Sequence, residues 1–373
     1  MDKKGWADEA ARDLDEASWR IFDRLTSVDL SEEEIRRVTR PDRAAPEAER
    51  FLAVHWHPER APLELIGQRL KAAFPKARDS LIIPTPHNQV AVYGPYAGVE
   101  ADAYDPGYGL KIHLLFHFSA GRLPRAGVFL DMLERTYRYR ARQLLEILDC
   151  LAGPALLDVP GLPSGDLGLE ARKLARFCAL RLRELVDRSG LIGTPRDELL
   201  KNRLLPDFMD ALAGEDPRLP PALGVVKAAK KKVKAAFQPA NFYSPREIIE
   251  EARALGAGVV IPHPPFFWPV LLDDLDVDGW EIWNSSSPRH VEFLARALAR
   301  ANQARGGRRR LLAFMGDDTH FSSKYRPPPG GGPDGRELGF QDPWADPAID
   351  KILAETGQSL AGTLAEYRAR LGP

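Results

Sequence analysis

Ala313–His320 reads AFMGDDTH: an apolar run, a glycine, and then an Asp-x-His pair, Asp318 and His320. Far upstream, Ala53–Glu59 reads AVHWHPE and carries a His-x-His pair, His55 and His57. Each pair follows a short apolar run, Leu311–Met315 in one case and Phe51–Val54 in the other, of the kind that forms a buried strand. Residues two apart on an extended strand point to the same side, so each pair can present two ligands to one point. Two such pairs at the ends of strands point to a metal-centred hydrolase.

Composition narrows the classes. The chain has 373 residues, 44% apolar and 28% charged, with a net charge of −1. That balance argues against coating nucleic acid or an acidic membrane through bulk charge. The basic run Lys227–Lys234 reads as the solvated face of an amphipathic helix. Cys150 and Cys178 make neither a disulfide framework nor a Cys-type zinc site. The acidic N-terminus has no apolar run, and no apolar stretch is of membrane-spanning length, so a cytoplasmic protein is expected. Of 8 histidines, all but His290 fall in strand-like or strand-end contexts: His55, His57, His87, His113, His117, His263 and His320.

Periodicity divides the chain into five parts. Residues 1–48 read as a helical collar, with a helix over Asp8–Leu25 and a capping box at Ser31–Glu34. Residues 49–126 carry strands at Phe51–His57, Ser80–Pro84, Val90–Tyr93, Gly98–Ala101 and Leu110–Phe118, with a helix over Pro62–Phe74. Residues 127–240 switch to long helical periodicity, over Leu130–Leu151, Leu169–Ser189 and Pro221–Phe237, and hold no histidine. This part reads as an insertion. Strand–helix alternation returns over 241–345, with strands at Gly258–Ile261, Gly279–Trp283 and Leu311–Met315. A last helix, Pro347–Leu371, fills 346–373. The Pro/Gly-rich segment Tyr325–Trp344 reads as a long mobile loop, a candidate lid. Alternating strands and helices imply an α/β barrel or a doubly wound sheet, and functional residues at strand C-terminal ends fit the barrel.

The order of motifs, His-x-His, Thr-x-His, Gly-x-Glu, a strand histidine, His-Pro and Gly-x-Asp-x-His, resembles the PHP (polymerase and histidinol phosphatase) superfamily. The resemblance covers roughly Phe51–Phe118 and Ser244–Ser323, including the strand GWEIWN at Gly279–Asn284. It implies a metal-dependent phosphoesterase on a distorted (βα)7-type barrel of TIM-like plan, here with an α-helical insertion. Carried over residue by residue, it implies metal ligation by His55, His57, His87, Glu100, His113, His263, Asp318 and His320, with Glu100 bridging ions. Glu100, His263 and Asp318 would act in catalysis. Two or three divalent ions, zinc, manganese or iron, are expected, since imidazole and carboxylate suit those metals. A small phosphorylated molecule is the expected substrate, with no membrane partner; overall charge gives little support for a nucleic-acid partner, which stays open along with the oligomeric state.

Glu59, Arg60, Asp317, Arg289 and Lys324 are candidates to support ligands or to hold a substrate phosphate. Phe266, Phe267 and Trp268, after the His-Pro motif, stand either as a pocket wall or as packing. Pro62 occupies a position where the family carries a further ligand, so either Glu59 or Glu64 substitutes or fewer ions bind; Pro86 likewise replaces an Asp. Two other readings fit the same residues. One is a non-catalytic PHP-like metal-binding domain. The other is an amidohydrolase-type C–N hydrolase, for which the strands offer no bridging lysine except Lys111, read as one register away from the His113 face.

Overall fold

The computed structural model describes residues 15–194, 197–236, 238–306, 308–326, 336–340 and 342–372. The expected helix start at Asp8–Leu14, the end of another at Phe237, and half of the candidate lid, residues 327–335 and 341, lie outside the described residues.

The chain divides into two compact units. One is α-helical and comprises Arg138–Pro239 with the described residues before Ser31. Its core is built from Phe22, the apolar stripes of helices Gln143–Ala152 and Gly165–Ser189, and those of Leu204–Ala213 and Leu219–Ala235. The other unit is α/β and holds the strands: β1 Arg50–Ala53, β2 Trp56–His57, β3 Asp79–Ile82, β4 Ala91–Tyr93, β5 Tyr96–Asp105, β6 Leu110–Ser119, β7 Gly258–Ile261, β8 Gly279–Asn284, β9 Leu312–Gly316 and β10 Thr319–His320.

Six of these strands form one mixed sheet in the order β4-β5-β6-β7-β8-β9, and two parallel pairs, β1-β3 and β10-β2, stand beside it as separate ladders. No single closed barrel ladder is present among the described residues. The β7-β8 and β8-β9 pairs are parallel, while the β4-β5, β5-β6 and β6-β7 pairs are antiparallel. Connection length accounts for the β4-β5 and β5-β6 pairs. Parallel neighbours need a crossover of a dozen or more residues, whereas β4 and β5 are joined by Gly94-Pro95 and β5 and β6 by Pro106–Gly109, which permit only hairpins.

Strand alternation sorts the side chains. On β5 and β6, Val99, Ala101, Ala103, Ile112, Leu114, Phe116 and Phe118 enter the larger core with the helices Gly127–Ala141 and Pro245–Ala254. The opposite face carries the register partners Gly98 and His117, Glu100 and Leu115, and Asp102 and His113. Leu115 joins a smaller core with Leu52, Val54, Leu81, Ile83, Val260, Leu312 and Phe314, capped by Leu364, Tyr367 and Leu371 of the helix Leu360–Leu371. Several of these apolar residues immediately precede the histidine and acidic motifs on the same strands. Their packing therefore fixes where those motifs emerge.

Element boundaries depart from expectation at several places. The strand expected over Phe51–His57 is two, β1 and β2, which pair with β3 and β10 respectively. The helix expected over Leu130–Leu151 is two, Gly127–Ala141 and Gln143–Ala152, because Phe129, Met132 and Leu133 enter one core and Leu144, Ile147, Leu148 and Leu151 another. The last helix is broken into Pro347–Ala354 and Leu360–Leu371 by Gly357, at φ +67°. Leu204–Ala213 is a helix the periodicity did not single out, with Pro206 tolerated in its first turn. Strand β5 is longer than Gly98–Ala101. The capping box at Ser31 and Glu34 is formed as read.

Candidate metal centre

The opening and closing motifs meet directly. In the parallel pair β2-β10, Trp56 is opposite Thr319 and His57 opposite His320, and the Asp318 amide donates to the His55 carbonyl at 3.0 Å. The Thr-Pro-His segment reaches the same place through a bridge between His87 and Glu100. Among the described residues, the non-glycine positions with positive φ are Glu59, Arg60, Asn88, His263 and Asp318. Each belongs to one of these motifs or adjoins one. Such conformations cost of order 1–3 kcal/mol and persist where surrounding structure enforces them, commonly at functional sites.

Glu100 is the centre. Its carboxylate, 1% exposed, lies within 3.8 Å of His55 Nε2, 3.3 Å of His57 Nε2, 3.0 Å of His87 Nδ1, 2.6 Å of His113 Nδ1 and 3.3 Å of His263 Nε2. Asp318 Oδ1 adds a second carboxylate, 3.3 Å from both His57 Nε2 and His320 Nε2 and 3.6 Å from His55 Nε2. His57, His87 and His320 form one group able to hold a cation. His55, His57 and Glu100 form a second, and Glu100, His113 and His263 a third. Asp318, at 15% side-chain exposure, and the half-buried His87, His113 and His320 leave the cluster open on one side.

The donor set fits divalent metal. Despite these close approaches, neither ring nitrogen of buried His57 makes a hydrogen bond of good geometry, nor do His55 Nε2, His113 Nδ1 and Glu100 Oε2. Leaving one buried polar atom unsatisfied costs about 1–3 kcal/mol, so several in one place call for a shared cation. Imidazole nitrogens and carboxylate oxygens without thiolate are donors for zinc, manganese or iron.

A second layer fixes how the imidazoles are presented. His55 Nδ1 lies 2.6 Å from Glu281 Oε1, and Glu281 Oε2 also accepts from the His263 amide at 2.7 Å and from Asn284 at 3.0 Å. His113 Nε2 lies 3.0 Å from Asp102 Oδ1, and His320 Nδ1 lies 2.9 Å from Glu59 Oε1. In each case the carboxylate accepts from one ring N–H, so in the neutral imidazole the other nitrogen turns to the cluster with its lone pair. His55 and His320 thereby present Nε2, and His113 presents Nδ1. The Glu281 carboxylate sits against Gly316, where a Cβ would come within 1.8 Å of Oε1; only glycine leaves that space.

These contacts set the charges. Burial, reinforced by His320 and His87, pushes the His57 pKa down to about 3, leaving it neutral and able to ligate. Burial also opposes protonation of His113 and His320, but Glu100 and Asp102 in one case, and Asp318 and Glu59 in the other, outweigh it and raise both to about 9. Despite burial, Glu100 is held well below the usual carboxylate range by His87 and His113, and Asp318 is lowered by His320 and His57.

The remaining histidines and candidates lie elsewhere or serve other contacts. His117 shares the His113 face but is buried deeper, with Nε2–H donating to the Val54 carbonyl at 2.8 Å and Nδ1 accepting from Tyr367 Oη at 2.7 Å. His290 closes a short 3-10 turn against Trp268. Asp317 accepts from the Gly339 amide at 2.8 Å. Arg289 donates to His290, and Lys324 reaches Asp42 at 2.7 Å. Glu64 is exposed, and Arg60 is half-buried near Tyr325. Lys111, two residues from His113, lies on the His113 face after all, 2.7 Å from Asp102 Oδ1.

Glu281, Asp102 and Arg336 were not singled out from sequence. Glu281 lies within the GWEIWN strand and Asp102 two residues from Glu100, so both signals were present. Arg336 lies within the Pro/Gly-rich segment Tyr325–Trp344 and is placed only by folding. Its Nη1 donates to the Asp318 carbonyl at 2.8 Å and lies 3.2 Å from Asp318 Oδ2, with Nη2 3.3 Å from Ser286.

No protein-family model matches the chain, and no curated protein matches it. A solved structure described as a "putative metal-dependent phosphoesterase" from Bifidobacterium adolescentis is similar, with a TM-score of 0.44 and 18% identity. The match covers 85% of this chain and 100% of that one. Among the described residues, no helix is long and apolar enough to cross a membrane.

Proposed function

We propose that this chain is a PHP-type metal-dependent phosphoesterase that hydrolyses a small phosphate ester. The observation that carries the reading is one buried carboxylate, Glu100, ringed by five imidazoles within 3.8 Å. In this reading, residues 49–126 and 241–345 form the two parts of a distorted (βα)7-type barrel, 1–48 and 346–373 pack outside it, and 127–240 is an insertion. The pairings β1-β3 and β2-β10, the bridge at Glu100 and the shared interior core around Leu115 support it.

The residues that would hold metal are His55, His57, His87, Glu100, His113, His263, Asp318 and His320. Glu100 has two oxygens and can serve two ions. His57 has one lone pair and can serve only one, although it belongs to two of the candidate groups. That arithmetic favours two well-held ions, with a third dependent on His87, His320 and Asp318. Bound divalent ions supply a Lewis acid that polarises a phosphoryl oxygen and acidifies water near pH 7.

The chain's own part is positional. Glu281, Asp102 and Glu59 hold three imidazoles in fixed tautomers. Glu100 and His263 form the buried wall, and Asp318 faces the solvent side, where the attacking water enters. Arg336, anchored on Asp318, stands where a guanidinium can steady a phosphate oxygen. With no Ser or Cys nucleophile called for, the products are inorganic phosphate and the alcohol.

Elemental analysis of protein purified without added metal tests the reading, with the His55→Ala/Asp318→Ala double variant beside it. About two or three equivalents of zinc, manganese or iron are expected in the wild type, lost in the variant, together with metal-dependent phosphate release from a panel of phosphate esters. One equivalent or none, unchanged by the substitutions, would sink it.

A further inference from the structure

The walls around the cluster differ in chemistry. On the Asp318 side stand Arg336 and Ser286. On the His263 side stand aromatic rings. Phe267, buried, packs with its ring centroid 5.5 Å from that of His263 and 6.3 Å from that of His113. Phe266 sits 5.1 Å from the His263 ring, tilted by 56°, yet is 60% exposed. Its neighbour Phe267 already covers His263 from the core side. Phe266 is therefore not needed to bury the histidine, and it holds a large apolar face in water.

The backbone holds Phe266 there. His263 adopts φ +30°, and a single 3-10 turn, Pro264–Phe266, follows, closed by the Phe266 amide donating to the His263 carbonyl at 3.1 Å. Two prolines, Pro264 and Pro265, stiffen that turn, so the ring is presented beside the metal-type cluster at little cost in ordering. Beyond it, Trp268 packs edge-on against Phe293, itself 60% exposed, and against His290. An exposed aromatic held rigidly next to convergent polar groups is how a pocket recognises the apolar part of a ligand.

We infer that Phe266 is a specificity-determining residue: it stacks on a flat, apolar leaving group, so the substrate class is an aryl or similarly planar phosphate ester. The inference rests on the phosphoesterase reading given above. A phosphoryl group held between the cluster and Arg336 would place the ester's organic part toward the His263 side, against Phe266. A short aliphatic group would leave that ring in water.

The test is calorimetric titration of the full-length, metal-loaded protein with phenylphosphonate and with methylphosphonate, neither of which can be hydrolysed as an ester. The wild type is expected to bind phenylphosphonate about 10-fold more tightly than methylphosphonate. In Phe266→Ala that preference should fall to about 2-fold, while Phe266→Tyr should keep it. Metal content, measured on each sample, should stay the same in all three proteins. Equal affinity for the two phosphonates in the wild type, or a preference unchanged in Phe266→Ala, would overturn this inference and leave the phosphoesterase reading standing. Failure of both phosphonates to bind metal-loaded protein would overturn the two together.

Discussion

Glu281 illustrates what one residue does from behind the cluster. Its two oxygens hold the His55 ring and the His263 amide at once, so it couples the opening motif to the His-Pro motif. Glu281→Gln keeps the shape but removes the charge that draws the His55 ring proton. A fall in metal affinity of about 10–100-fold is expected, read by competition with a chromogenic chelator, with the far-UV circular dichroism unchanged. His117 makes a different prediction. Burial outweighs its contact with the Val54 carbonyl and pushes its pKa down to about 3, below the value of about 6.5 expected unfolded. Below 6.5 the unfolded chain therefore takes up a proton that the folded chain refuses. Stability of the metal-free protein should fall as pH drops from 6.5 towards 3. Urea midpoints at pH 7.5 and 5 should show a smaller fall in His117→Gln than in the wild type.

At the scale of elements, the segment Arg336–Phe340 is tied to the α/β unit at several points. Arg336 reaches Asp318, Gly339 donates to Asp317, and Glu337 meets Arg69 of the helix Leu63–Ala73 through two contacts, at 2.7 and 2.6 Å. Arg69 also donates to the carbonyls of Arg37, Val38 and Arg40, so one buried guanidinium joins three stretches of chain. Glu337→Ala removes the carboxylate buried with that cation and leaves it only the exposed one of Asp42, at 3.2 Å. A loss of about 3–5 kcal/mol is expected from denaturant unfolding, against a negligible loss for an exposed pair such as Arg20–Glu16. A midpoint shift no larger than that of the exposed pair would show that Arg69 is satisfied by its carbonyls and Asp42.

At the scale of the molecule, the candidate site lies wholly in the α/β unit, while the helical unit has its own core and no histidine. Ions that bind the folded state alone stabilise it by mass action, about 2.7 kcal/mol for one site at a free concentration 100 times Kd. Chelation should therefore lower the melting temperature. By hydrogen exchange, the loss of protection should concentrate in β5, β6 and β7 and leave the core helix Gly165–Ser189 little changed. Equal loss in both units would mean that metal is not held where the imidazoles converge.

The sequence by itself determined the local structure that depends on period and turn chemistry: the capping box at Ser31, the apolar strands before each motif, and the long helical stretch without histidine. It also determined which ligand types recur at strand ends, because side-chain alternation is a property of the strand alone. Tertiary structure decided the rest. His113 and His117 share a face of β6, yet one reaches Glu100 and the other Tyr367, since alternation gives the side of a strand but not the depth along it. Glu281, Asp102 and Arg336 gain their roles from cross-strand register and from the return of distant chain, and local pattern encodes neither. The antiparallel pairs β4-β5 and β5-β6 came from short connections that allow only hairpins. A carboxylate becomes the partner of a particular histidine only when strands far apart in sequence are laid side by side.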